Sequence, residues 1–204
     1  VLLAPLRQLS QLGPREQPAL LRPFVSGGDL DAALVIGSPE PHGPLLARAQ
    51  DAFAALDLAL FLGSFCTVPP EGKVVRDTDL VNVKQNLIVV GGPVVNKITQ
   101  RVQTYLPIRF DSESLTHSEL SERTYTREGV GTVQLIRNPW SKSHSILVLA
   151  GRRWLGTQAA IFACTRRLDR LSKGNAVRKS VLAHVVEGAD RDSDGRLDWV
   201  DVLE

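Results

Sequence analysis

The sequence predicts an α/β fold: a Rossmann-like mixed sheet, mainly parallel with an antiparallel addition, and helices on both faces. Three observations carry that expectation. A unit of apolar strand, glycine break and helix recurs at 32–60, 86–106 and 146–170, the pattern of parallel strands joined by helical crossovers. The strands read as unbroken apolar runs, as strands buried on both faces do. The stretch 123–150 holds strands with no helix between them, which adds an antiparallel pair. The division expected is a lead-in over 1–30, an α/β domain over 31–188 and an acidic C-terminus over 189–204.

Taken in order, residues 1–30 mix apolar residues with Pro14, Pro18 and Pro23 and end at Gly27-Gly28. The first strand is Ala32–Ile36, stopped by Gly37-Ser38-Pro39. Leu45, Leu46, Ala49, Ala52, Phe53 and Leu56 recur at helical spacing, which predicts a helix from His42 to Leu60. Gly63, Pro69, Pro70 and Gly72 mark a loop, with Val74-Val75 a short extended piece. Asn86–Val90 is the strongest strand. After Gly91-Gly92, Pro93 suits a first helical turn, and Val94, Val95, Ile98 and Val102 form the stripe of the helix behind it. Ile108–Phe110 is a short third strand, 111–124 is polar and loop-like, and Thr124–Gly129 is a hairpin arm. Gly131–Ile136 and Ser145–Ala150 are strands, the second closed by Gly151. Leu155, Ala159, Ala160, Phe162, Ala163 and Leu168 make the next segment helical. Residues 180–187 fit either helix or strand.

Composition narrows the function classes. The 204 residues are 43% hydrophobic and 23% charged, with a net charge of +2. This excludes a disordered tail and a small disulfide scaffold, and the charge is too small to argue for nucleic acid. No apolar run approaches the roughly 18–20 residues of a membrane span. Met is absent even at position 1, which leaves room for a leader or anchor before Val1. Scarce Met and Cys with abundant Arg suit a thermophile. Cys66 and Cys164 read either as two free thiols or as one disulfide. The four histidines, His42, His117, His144 and His184, lack metal-ligand spacing, and no GxSxG motif is present. Arg166, Arg167, Arg170, Lys173, Arg178 and Lys179 form a basic run, read as the solvated face of a helix rather than a nucleic-acid surface.

Two places can hold a ligand. The glycine turns fall at the carboxyl ends of strands, the edge where open α/β sheets bind ligands. Gly91, Gly92 and Gly151 lie there, with Ser38, Asn96 and Thr157 as hydrogen-bonding groups and Arg152 as a counter-charge. A nucleotide, sugar or other anionic small molecule fits that chemistry. None of the turns has a phosphate-loop spacing, so the glycines also read simply as tight turns. The second place is Asp190–Asp201. Asp190, Asp192 and Asp194 occupy positions 1, 3 and 5 of a calcium loop, Gly195 position 6, Arg196 offers its carbonyl at 7, Leu197 anchors position 8, and Asp198 and Asp201 stand at 9 and 12. Ca2+ is the expected cofactor, with a solvated acidic tail or another cation as alternatives. Asp201 is shorter than the usual Glu, which weakens bidentate reach.

Several segments together resemble the archaeal surface-layer (S-layer) and S-layer-like proteins. They are Asn86–Asn96 (NLIVVGGPVVN), Gly129–Pro139 (GVGTVQLIRNP), Ile146–Gly151 (ILVLAG), Gly156–Ala160 (GTQAA) and Val185–Gly188 (VVEG), the last leading into the acidic loop. The resemblance spans about residues 30–204. It implies a structural or interaction module of the archaeal cell envelope without catalysis, self-association or protein partners at a cell surface, and use of calcium. The family supplies no catalytic residues to carry over. An extracellular or envelope location follows from it, with a cytoplasmic binding protein or enzyme as the alternative.

Overall fold

The computed structural model describes residues 18–111, 115–193 and 197–204. Two short strands, β1 (Val25–Ser26) and β2 (Asp29–Leu30), form a hairpin around Gly27-Gly28, both at positive φ. The elements that follow are β3 (Ala33–Ile36), α1 (Ala52–Gly63), β4 (Val74–Arg76), β5 (Leu87–Val90) and α2 (Lys97–Val102) with a 3-10 turn after it. Then come β6 (Ile108–Phe110), β7 (Thr116–Ser118), β8 (Arg123–Tyr125), β9 (Val130–Arg137) and β10 (Ser145–Gly151). The chain continues through α3 (Trp154–Arg166), α4 (Leu168–Leu171), β11 (Ala183–Ala189) and β12 (Trp199–Val202).

Seven strands make the main sheet, in the order β12-β11-β9-β10-β5-β3-β4. The pairs β4–β3, β3–β5 and β5–β10 are parallel. The pairs β10–β9, β9–β11 and β11–β12 are antiparallel. Alternation along the strands splits the core in two. Leu34, Ile88, Val90, Leu147 and Leu149 face α1, α3 and α4, joined by Leu20, Leu21 and Phe24 from the described N-terminal residues. Val35, Leu87, Val89, Ile146 and Val148 face the opposite side, under Ile98 and Val102 of α2, Leu106 and Phe110. Strands β6, β7 and β8 form a separate antiparallel meander. It docks on the main sheet through Gln134, which donates to Ile108 O at 2.9 Å and accepts from Ile108 N at 3.0 Å.

This corrects the expected fold class. The molecule carries more strand than helix, 29% against 21%, and it is not a sheet with helices on both faces. Both long helices lie on one face, and among the described residues the other face has only the six-residue α2 and the 3-10 turn after it. Half of the neighbouring pairs in the main sheet are antiparallel, so it is mixed rather than mainly parallel. The physical reason lies after β5. Asn96 caps α2, the helix ends within two turns, and the chain then builds the small meander where a long crossover helix was expected. The segment 180–187 resolves as strand. The helix predicted from His42 starts only at Ala52. Gly43 at φ +69° and Leu46 at φ +47° turn the chain there, and Leu45 and Leu46 are exposed.

Candidate functional site

Strands β3, β5 and β10 are parallel, so the turns leaving them meet at one edge of the sheet. From β3 the chain goes to β4 on one side, and from β5 it goes on to β10 on the other. The ends of β3 and β5 are therefore the topological switch point, where sheets of this kind usually open a crevice. Here the chain fills it. Asn96 donates to Val90 O at 2.9 Å and to Val35 O at 3.4 Å, bridging the two strands. Its Oδ1 accepts from Ile98 N and Thr99 N. Asp77, also buried, accepts from Ser38 N at 2.8 Å and from Lys97 N at 2.8 Å. His42 Nε2 stands 3.1 Å from Asp77 Oδ2 and 3.1 Å from Val95 O, and its Nδ1 is 2.8 Å from Glu40 O. Ser38 Oγ accepts from Glu40 N. The polar groups of Ser38 and Asn96 are thus engaged by their own turns.

The open space lies one strand over, above β5 and β10. A cavity of about 420 Å³ is bordered by all three turns. Gly92, Gly151, Arg152 and Thr157 line it, so four of the seven residues expected at this edge come together there. Gly92 and Gly151 also serve packing. A Cβ on Gly92 would overlap the Gly151 carbonyl, and one on Gly151 would overlap the backbone of Gly156 and Thr157 at the start of α3.

Sequence reasoning missed the group with the most unusual environment. Asp51, immediately before α1, lines the cavity and is 5% exposed. Its Oδ1 is buried with no hydrogen-bond partner. Burial pushes its carboxyl up to about 6, opposed by a hydrogen bond from Thr157. Gly91, at φ +112°, gives it room, because a Cβ there would stand 3.2 Å from Asp51 Oδ2. Arg48, Arg153 and the half-exposed Trp154 complete the charged and aromatic rim. An Asp just ahead of an apolar run is a helix-start signal. It was hidden because the helix was read straight through it.

The acidic segment connects β11 and β12, which pair antiparallel. Ala189 pairs with Trp199, so Asp190 and Asp198 are the next opposed residues. Asp198 N donates to Ala189 O, and Asp198 Oδ1 accepts from Arg191 N at 3.1 Å. Asp192 follows in the same segment. Asp194, Gly195 and Arg196 lie outside the described residues. Asp201 sits in β12 opposite Glu187 rather than in the connecting segment. Among the described residues, no three acidic, histidine or cysteine side chains gather as metal ligands. Both cysteines are free thiols.

A different surface stands out on α1. Its twelve residues contain one charge, Asp57. Ala54, Ala55, Leu58 and Leu62 are buried, yet Phe53, Leu56 and Leu60 are 78%, 58% and 76% exposed. Phe53 also lines a groove of about 680 Å³ between α1 and α3, together with Asp57, Phe61, Ile161, Phe162 and Arg166. No helix among the described residues is long and apolar enough to cross a membrane.

Residues 69–168 match the family described as "S-layer like family, outer domain". The match runs from just before β4 through α3. No curated protein matches the chain.

Proposed function

The chain belongs to the S-layer-like family, and from that premise we propose that it is a module that associates with further copies of itself at the cell surface. Family membership gives it a structural role at the cell envelope. The observation that carries the self-association is the exposed apolar face of α1. A helix that is apolar all round is normally buried all round, and a contiguous exposed patch of this kind marks an interface. The groove beside it is self-complementary. Asp57 and Arg166 line it with opposite charges, so a two-fold axis through the patch sets each Asp57 toward the other copy's Arg166.

Leu56 is an exposed apolar residue of that face. A Leu56→Cys variant on a Cys66→Ser background is expected to form a covalent dimer under mild oxidation, at protein concentrations where the Cys66→Ser parent stays monomeric on a non-reducing gel. A trapped yield no higher than that of a cysteine at Val81, which is exposed and does not line the groove, would contradict the reading.

Two finer features belong to the same proposal. The 190–198 turn binds calcium through Asp190, Asp192 and Asp198, with Asp194 as a further ligand, and thereby fixes the β11–β12 hairpin. The role requires no catalysis and, following the sequence resemblance, belongs to an archaeal envelope.

A further inference from the structure

We propose that the cavity above β5 and β10 binds an acidic sugar of the hexuronate class, with Asp51 accepting from its hydroxyls and the rim arginines holding its carboxylate. This site is independent of the α1 face. A buried carboxylate oxygen without a partner is costly; Asp51 Oδ1 is such an atom, and Asp51 belongs to the lining of the cavity. What it lacks is a hydrogen-bond donor, and a ligand hydroxyl supplies one.

The rest of the lining selects among ligands. Among the described residues, Asp51 is the only acidic one in the lining, whereas Arg48, Arg152 and Arg153 are all present. A divalent cation needs several oxygen ligands and finds one carboxylate among three positive charges. A phosphate or nucleotide would set its charge against Asp51 and finds no phosphate-loop glycine pattern. A hexuronate satisfies both halves, with hydroxyls toward Asp51 and a carboxylate that matches a guanidinium fork. Among the described residues, Arg152 contacts Thr126 O at 3.5 Å and Arg153 pairs with Glu128 at 3.8 Å, both long contacts. Trp154 is 49% exposed at the first turn of α3, a flat apolar surface for the C–H face of a pyranose ring. The volume of about 420 Å³ falls within the range of small-ligand sites, roughly 300–1,000 Å³.

The test is a titration of the full chain with D-glucuronate at pH 7.5, followed by the 1H–15N resonance of the Trp154 indole, assigned with Trp154→Phe. D-glucose, acetate and inorganic phosphate are titrated in parallel. Glucuronate is expected to move that resonance with saturation and to bind at least tenfold more tightly than the other three. Asp51→Asn and Arg152→Ala are each expected to weaken it at least tenfold while circular dichroism shows the fold retained. Arg152 is on the rim, so its variant decides the matter even where Asp51→Asn misfolds. No saturable shift, equal binding of glucose or phosphate, or full affinity in a folded Arg152→Ala variant overturns the proposal.

Discussion

Asp51 and Glu204 are both buried carboxylic acids, and their surroundings push them in opposite directions. Burial raises Asp51 from 3.8 to about 6, so the folded state holds that proton more tightly than the unfolded chain. Its contribution to stability therefore falls as pH rises between those two values, and above them the charged group is a standing cost of about 3 kcal/mol at most. Asp51→Asn removes that cost. Urea unfolding is expected to show a gain of about 1–3 kcal/mol at pH 7.5 and almost none at pH 4. A variant less stable than wild type at pH 7.5 would mean that the carboxylate is a structural support. Glu204 is buried too, and burial alone would raise it. Hydrogen bonds from Ser118, Ser121, Asn175 and Tyr125 outweigh that and hold it below the usual range. Its stabilisation is complete above the unfolded value of 4.5 and is lost as pH falls through the lower folded value. Glu204→Ala strands those donors and is expected to cost about 2–3 kcal/mol at pH 7, with a smaller difference in strong acid. Equal stability of variant and wild type at pH 7 would contradict that network. None of this was legible in the sequence, because both environments are assembled from segments far apart in the chain.

At the scale of the element, legibility followed periodicity. The strands β3, β5 and β10 are built on runs of Val, Ile and Leu followed by Gly, β9 mixes such residues with Thr and Gln, and all four stand where the pattern put them. The start of α1 failed because Leu45, Leu46 and Ala49 imitate helical spacing, while Gly43 and Pro44 between His42 and that run were the better signal. Strand β7 was read as loop because Thr116–Ser118 has no apolar alternation; its burial comes from its neighbours. The 190–198 turn is the mixed case. Its carboxylate spacing was visible, but the strand that carries Asp201 away from the turn was not. If calcium occupies that turn, it stabilises by mass action, about 3 kcal/mol at a hundredfold excess over Kd. Thermal unfolding is expected to rise with calcium, not with magnesium, and the rise is expected to vanish in Asp192→Ala. Identical curves with calcium and with chelator would remove calcium from the account.

For the whole molecule, the recurring strand–glycine–helix unit was real but its consequence was overdrawn. Three repeats suggested three crossovers covering both faces. Only the helices after β3 and β10 are long, and both lie on one face. The edge that was expected to bind ligands does carry a cavity, and four of its seven named residues line it. The switch point itself is closed by Asn96, which reaches Val35 across 61 residues of sequence, and by the His42–Asp77 pair, 35 residues apart. The exposed face of α1 went unrecognised for the opposite reason. Phe53, Leu56 and Leu60 look like core residues in the sequence, and only the packing shows that the core lies on the other side of the helix. That face is the basis for the proposed self-association, and sedimentation velocity over a hundredfold range of protein concentration tests it most directly. Wild type is expected to shift from monomer to larger species as concentration rises, and a Phe53→Ser/Leu60→Ser variant, which loses only solvent-exposed side chains, to stay monomeric throughout. A wild type that remains monomeric, or a variant that associates as strongly as wild type, would contradict the account.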